Sequence, residues 1–237
     1  MARPIPENRF EQLIEAATGE FIAQGYQRTQ IADVARAMGV AKGTVYRYVA
    51  SKEALFAAAL RHADARAPLV SELELPLATP SPAAIARELE ERLSAETIPD
   101  ALARALSGRE ARPVQRELDE IVRGLFAVSS RHRTAIKLID RCGRDHPELS
   151  SIFYRRGRFA QLDALTRYLS ARVESGAIPA LPDVAVAARF VIEAVATWAV
   201  HIHWDPAPQP ISMADAQETL VRILVTGLLH HKNGEPS

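Results

Sequence analysis

The chain has one cysteine in 237 residues, Cys142. No internal disulfide can form, so the fold rests on its core, and a reducing compartment is the natural setting. Net charge is missing too: 29 basic and 29 acidic residues cancel, and the pI is about 7.1. That argues against a whole-molecule attraction to polyanions; any contact with nucleic acid must come from a local basic surface. The most hydrophobic stretch, Val184 to Trp204, carries Arg189 and Glu193 near its middle. Both would be costly inside a bilayer, so this reads as a buried helix. The start, Met1-Ala2-Arg3-Pro4, lacks an apolar segment followed by a cleavage site, and a cytoplasmic location is expected. There is no strand-like alternation and no repeat of fixed period. Glycine-rich phosphate loops, His-Glu-x-x-His and paired-cysteine spacings are all absent, so neither a catalytic role, a metal nor a cofactor is expected. His201 and His203 lie two apart, on different sides of a helix, a poor arrangement for sharing a metal.

What is present is helix. Hydrophobic residues make up 48% of the chain and charged residues 24%, ample for a core. Phe10, Leu13, Ile14, Ala17 and Phe21 fall on one helical face, and Gly25 suits a left-handed end to that helix. Thr29 is placed to cap a second, short helix with Ile31, Val34 and Ala35 on its apolar side. Gly39 breaks the chain, a third helix is expected from about Ala41 to Tyr48, and Ser51 caps a fourth bearing Leu55, Phe56, Ala59 and Leu60. Pro68 to Pro82, with four prolines, reads as a connector, after which Ser81 caps a further helix. Helical patterns then cover roughly residues 114–129, 131–142, 147–156, 158–174, 182–204 and 212–231.

Residues 29–52 carry the functional signal. Two short helices joined through Met38-Gly39-Val40 form a helix-turn-helix pattern. With Ile31, Val34, Ala35, Val40 and Val45 facing inward, Lys42, Gly43, Thr44, Tyr46, Arg47 and Tyr48 are expected to face out. Lysine can donate to guanine O6 or N7, glycine lets the backbone approach DNA, and the hydroxyls can donate to phosphates. Lys52, at the start of the fourth helix, can reach a phosphate beside that helix's free amides.

The run Gly25-Tyr26, Thr29, Ile31-Ala32, Val34-Ala35, Met38-Gly39-Val40, Lys42-Gly43-Thr44-Val45-Tyr46, Tyr48, Ser51-Lys52-Glu53 and Leu55-Phe56 resembles the N-terminal signature of the bacterial tetracycline-repressor (TetR) family. The resemblance covers about Glu7 to Ala67. Ala41, where the family often has serine, and Val49, where it often has an aromatic, depart from it. The resemblance implies an all-α protein: a three-helix helix-turn-helix DNA-binding domain at 7–67, motif about 30–49, and a larger effector-binding and dimerisation domain at 68–237. It implies that Lys42, Gly43, Thr44, Tyr46, Arg47 and Tyr48 form the recognition helix and that Thr29, Gln30 and Lys52 flank it at phosphates. It further implies a ligand-responsive regulator, most often a repressor, that binds a palindromic DNA operator as a homodimer. The alternative is a DNA-bound protein–protein adaptor with no small-molecule effector.

In the second part, residues 182–204 and 212–231 are apolar nearly all round. The simplest cover is the same pair of helices from a second copy, giving a two-fold four-helix interface. Residues 131–172 hold nine arginines and Lys137 against Asp140, Asp145, Glu148 and Asp163. This reads as opposed helix charges and solvated faces ahead of a cationic pocket. Leu125, Phe126, Cys142, Phe153, Phe159 and Trp198 are the candidate lining of a site for an unidentified small-molecule effector.

Overall fold

The computed structural model describes residues 9–64, 75–108 and 112–230, with the side chains of residues 95 and 96 left aside. Most of the expected connector, from Pro68 to residue 74, lies outside the described residues. Those described are helical throughout, with an isolated bridge pairing Val49 with Leu77. The elements are α1 (Arg9–Gln24), α2 (Ile31–Ala37), α3 (Lys42–Val45), α4 (Lys52–His62), α5 (Pro82–Glu96), α6 (Asp100–Ser107), α7 (Val114–Arg131), α8 (Arg133–Cys142), α9 (Pro147–Ile152), α10 (Phe159–Glu174), α11 (Val184–Ala199) and α12 (Met213–Leu229). A π-helical turn, Phe153–Arg158, joins α9 to α10, and a 3-10 turn, His201–Trp204, follows α11.

Two compact units form. The first comprises the chain up to Glu91 together with Thr134–Phe153; the second comprises Arg92–Arg133 and the chain from Tyr154. In the first, α1 buries Phe10, Leu13, Ile14, Ala17 and Phe21 and packs on α4, which buries every residue from Ala54 to Leu60. Gly25, at φ +81°, ends α1 in the left-handed region that glycine tolerates best. Ser51 Oγ accepts from the Ala54 amide at 3.0 Å and caps α4. Thr29 does not cap α2: it is buried, and its hydroxyl donates to the carbonyls of Gly25 (2.8 Å) and Glu20 (3.1 Å). Gln30 takes the cap position instead, its N–H donating to Asp33 at 2.8 Å. Facing inward along the first helix's end outweighs capping for that threonine, because its methyl side belongs to the core.

The second unit is centred on α7, which packs on α6, α11 and α12, while α10 packs on α6 and α11. Leu118, Ile121, Val122, Leu125 and Phe126 form its buried stripe. Each such side chain contributes about 1.5–3 kcal/mol by leaving water. Several boundaries differ from the sequence pattern. The helix expected through residue 204 ends at Ala199, where the run Val200, His201, Ile202, His203, Trp204 offers only weak helix formers. The helix expected through residue 156 ends at Ile152 and gives way to the π turn around buried Gly157. Helix α6, only eight residues long, is too short for its apolar face to stand out in the sequence.

A buried carboxylate lies inside this unit. Glu117, 5% exposed, accepts from the Tyr168 hydroxyl at 3.0 Å and from Arg172 at 2.8 and 3.0 Å. Burial and this hydrogen bond push the Tyr168 phenol well above its ordinary value. Removing the acid strands a guanidinium and a phenol, although Arg172 keeps partial access to water. E117A is expected to cost about 2–4 kcal/mol in urea unfolding, and E117Q markedly less because it keeps an acceptor for Tyr168.

Candidate nucleic-acid interface

Helix α3 has one turn. Its Val45 is buried, at 1% exposed, and docks the turn against the first unit's core. The opposite side is open: Lys42, Gly43, Tyr46 and Arg47 are exposed, Tyr46 at 44%, and Thr44 is half-buried. Lys42 Nζ lies 5.9 Å from the Tyr46 ring centroid, within range of a cation–π attraction. Ala41 stands at the N-cap with no side-chain bond, as its missing hydroxyl demands. Gly39, at φ +66°, makes the turn between α2 and α3. A Cβ at Gly43 would meet nothing within 4 Å, so no folding contact requires glycine there.

The expectation that Tyr48 faces outward is corrected. It is 3% exposed, stacked on Phe10 with ring centroids 6.3 Å apart, because α3 ends at Val45 and the following turn directs residue 48 into the core. Thr29 is also buried, with its hydroxyl committed to backbone carbonyls. Gln30 is exposed at the start of α2. Lys52 heads α4 and is held: its ammonium donates to the Gln27 carbonyl at 3.3 Å and lies 4.3 Å from the Tyr26 ring centroid. The exposed surface of the motif therefore presents Lys42, Gly43, Tyr46 and Arg47, with Gln30 and the partly exposed Lys52 at its flanks.

Residues 13–59 match the family model of bacterial regulatory proteins, tetR family. The first unit thus carries the helix-turn-helix region of the tetR family of bacterial regulatory proteins. The fold extends the likeness to the rest of the chain. The ketosteroid transcriptional regulator KstR2 of Mycobacterium tuberculosis is 19% identical over 96% of this chain and 98% of its own, with a TM-score of 0.59. A tetR-family regulatory protein of Rhodococcus RHA1 is 15% identical over 94% and 97%, TM-score 0.52. AibR, in complex with isovaleryl coenzyme A and operator DNA, is 16% identical over 93% and 98%, TM-score 0.50.

The candidate effector residues divide between the units. Leu125 and Phe126 are buried on α7, Trp198 is half-buried on α11, and Phe159 is 48% exposed at the start of α10. Cys142 and Phe153 belong to the first unit. A cleft in the second unit, lined by Ala101, Arg104, Ala105, Arg112, Glu117 and Glu120, has room for little more than a water molecule. The basic segment is largely spent on pairing: Arg158 with Glu193, Arg167 with Asp163 at 3.1 Å, Arg172 with Glu117 and Lys137 with Asp140 at 3.8 Å. Arg141 donates to the carbonyls of Ile22 (2.9 Å) and Ala23 (3.0 Å) at the end of α1. Sequence reading missed that tie, and also Tyr26, Asp145 and His146. Their signal was only Tyr26 within the family pattern and a His-Pro pair whose spatial neighbours no spacing reveals.

Cys142 is fully buried, and burial pushes its thiol up to about 11. A thiolate at neutral pH is therefore scarce and shielded. The native protein is expected to leave Ellman's reagent unreacted at pH 8, with one thiol per chain appearing on denaturation. On the reading face, K42A with Y46A is expected to weaken specific DNA binding by about 1–3 kcal/mol for each base-edge interaction removed while leaving the thermal midpoint nearly unchanged. G43A is expected to keep or slightly raise stability, since alanine suits a helix better, while weakening binding through closer crowding of the DNA. Titration of a selected duplex by anisotropy, beside thermal melts, checks these variants.

Proposed function

We propose that this regulator binds a palindromic operator as a homodimer, and that a small organic effector bound within the part of the chain after the helix-turn-helix changes that binding, most simply releasing a repressor. The assignment of residues 7–67 as the DNA-binding domain and 68–237 as the effector and dimerisation domain belongs to the same reading. The observation that carries it is the exposed set Lys42, Gly43, Tyr46 and Arg47 on one docked helical turn. Lys42 and Arg47 supply base or phosphate donors, Tyr46 a flat face with a hydroxyl, and Gly43 close approach. Gln30 and Lys52 are assigned to phosphates on either side.

Dimerisation is supported by what α11 and α12 leave uncovered. Ala188, Val191, Ile192, Val195 and Ala199 turn inward, but Val186 (64%), Phe190 (66%) and Ile223 (62%) stand in solvent on two helices that pack together. Large apolar groups grouped like this favour a covering surface, and a second copy of the same pair gives an isologous one. Two reading helices about 34–36 Å apart then meet successive major grooves. Leu125, Phe126, Phe159 and Trp198 remain proposed effector contacts, on α7 and α10 which both pack on α11 and on α11 itself, and AibR, of similar fold, holds a coenzyme A thioester and operator DNA. Cys142 and Phe153, in the first unit, stay proposed effector contacts as well.

The test is selection of binding sites from random duplexes, followed by anisotropy with and without short-chain acyl coenzyme A thioesters as first probes. A palindrome with half-sites about one turn apart supports the reading; no enriched sequence from a folded dimer overturns it and favours the adaptor. F190E is expected to sediment as a monomer and to lose about a hundredfold or more in operator affinity, because the second half-site no longer adds avidity. A dimeric F190E variant with unchanged affinity would remove Phe190 from the interface.

A further inference from the structure

Lys52 is not a freely waving surface lysine. Both groups that restrain its ammonium, the Tyr26 ring and the Gln27 carbonyl, are neighbours in the loop after α1. That loop is in turn held by the junction of α8 and α9. Asp145 accepts from the Gln27 N–H at 3.1 Å. The His146 ring lies flat on Phe56, centroids 4.6 Å apart and planes 5° apart, and meets Tyr26 edge-on at 4.2 Å. Tyr26 also meets Phe21 and Phe56, ring centroids 5.8 and 5.2 Å away, and donates its hydroxyl to Glu53 at 3.1 Å. The junction itself is tight: a Cβ at Gly143 would come within 2.6 Å of the Ile139 carbonyl and 3.1 Å of Ser150.

The imidazole acts here as a flat ring. Its Nε2 is buried and makes no hydrogen bond. Burial, with Lys52 adding to it, holds the ring below the usual histidine value against the opposite pull of Asp145 and Glu53, so it is neutral at neutral pH. A neutral ring is what can pack beside Tyr26 while a cation sits over the same tyrosine.

We propose that His146 is a positioning residue for Lys52: by fixing Tyr26 it pre-organises the ammonium for a DNA phosphate, so that the backbone grip of the reading motif depends on where the α8–α9 junction sits. This rests on the DNA-binding function proposed above. Holding a long side chain in place before binding removes an ordering cost that a loose lysine must meet at the interface. The reading motif is then sensitive to α8 through a single phosphate contact, apart from any change in the separation of two reading helices.

The experiment measures binding of the selected duplex by anisotropy across a salt series for wild type, K52A, H146L, H146F and the double variant K52A/H146L, each checked by circular dichroism and sedimentation. H146L fills the gap between Phe56 and Tyr26 without a flat ring; H146F restores the ring. The expected result is that K52A lowers the salt slope by about one for each subunit, or about two for the dimer. H146L should move the slope the same way and weaken binding about two- to tenfold, H146F should behave as wild type, and the double variant should be no worse than K52A. A wild-type slope in H146L, or affinity decreases that add to those of K52A, overturns the proposal while leaving the DNA-binding reading intact. An unchanged slope in K52A overturns the phosphate role of Lys52 and the positioning role with it. Should H146L not fold, D145A removes the acceptor for Gln27, keeps both rings and leaves His146 neutral, and must show the same shift, smaller, for the proposal to stand.

Discussion

The C-terminal end of α1 is completed by residues more than a hundred positions away. A helix leaves its last carbonyls without partners of its own. Here Gly25 turns the chain and its N–H takes the Phe21 carbonyl at 2.9 Å, Arg141 takes those of Ile22 and Ala23, and the Cys142 thiol adds a weak bond to Phe21. The loop that follows, Tyr26 to Gln30, leads directly into α2 and α3. Its direction sets where the motif's exposed turn points. The position of the reading surface is thus tied to α8 by hydrogen bonds and to α4 by an aromatic cluster of Phe21, Tyr26 and Phe56.

That dependence explains which residues of the motif are left facing outward. A four-residue helix cannot bury much on its own. It is held by Val45 and, just beyond it, by Tyr48 and Val49, all buried, with the Tyr48 carbonyl and the Ala50 amide also bonded to Leu77. These anchors consume one side of the turn and leave Lys42, Gly43, Tyr46 and Arg47 on the other. Tyrosines two apart on such a turn cannot share a fate: Tyr46 is outside and Tyr48 inside.

The sequence made the first unit's helices legible because their apolar residues repeat at helical spacing and their ends carry glycine or a capping hydroxyl. Phe10 to Phe21, Ser51 and Gly39 all behave as their chemistry demands. The reversals occur where a residue has two competing uses. Thr29 is an adequate cap and a good core residue, and burial prevailed. Tyr48 is a plausible DNA ligand and a good partner for Phe10. The return of residues 134–153 to the first unit could not be read at all, since it depends on contacts such as Asp145 with Gln27 that leave no periodic trace. Val184 to Trp204 was legible as an apolar helix, but not the point where it stops.

The energies separate what can hold from what can move. The α7 stripe, at about 1.5–3 kcal/mol for each side chain, and the buried Glu117 network give the second unit a rigid centre. The tie between α8 and α1 is smaller. Its arginine is exposed, its bonds run to neutral carbonyls, and each contributes about 1.5–3 kcal/mol at most for a charged donor, less where water competes. Coupling between two binding sites usually amounts to about 1–3 kcal/mol. Energy of that size cannot rearrange the α7 core, but it is comparable to the contacts made by Arg141, Asp145 and His146. The contacts that aim the motif are therefore few and modest beside the buried centre of the second unit.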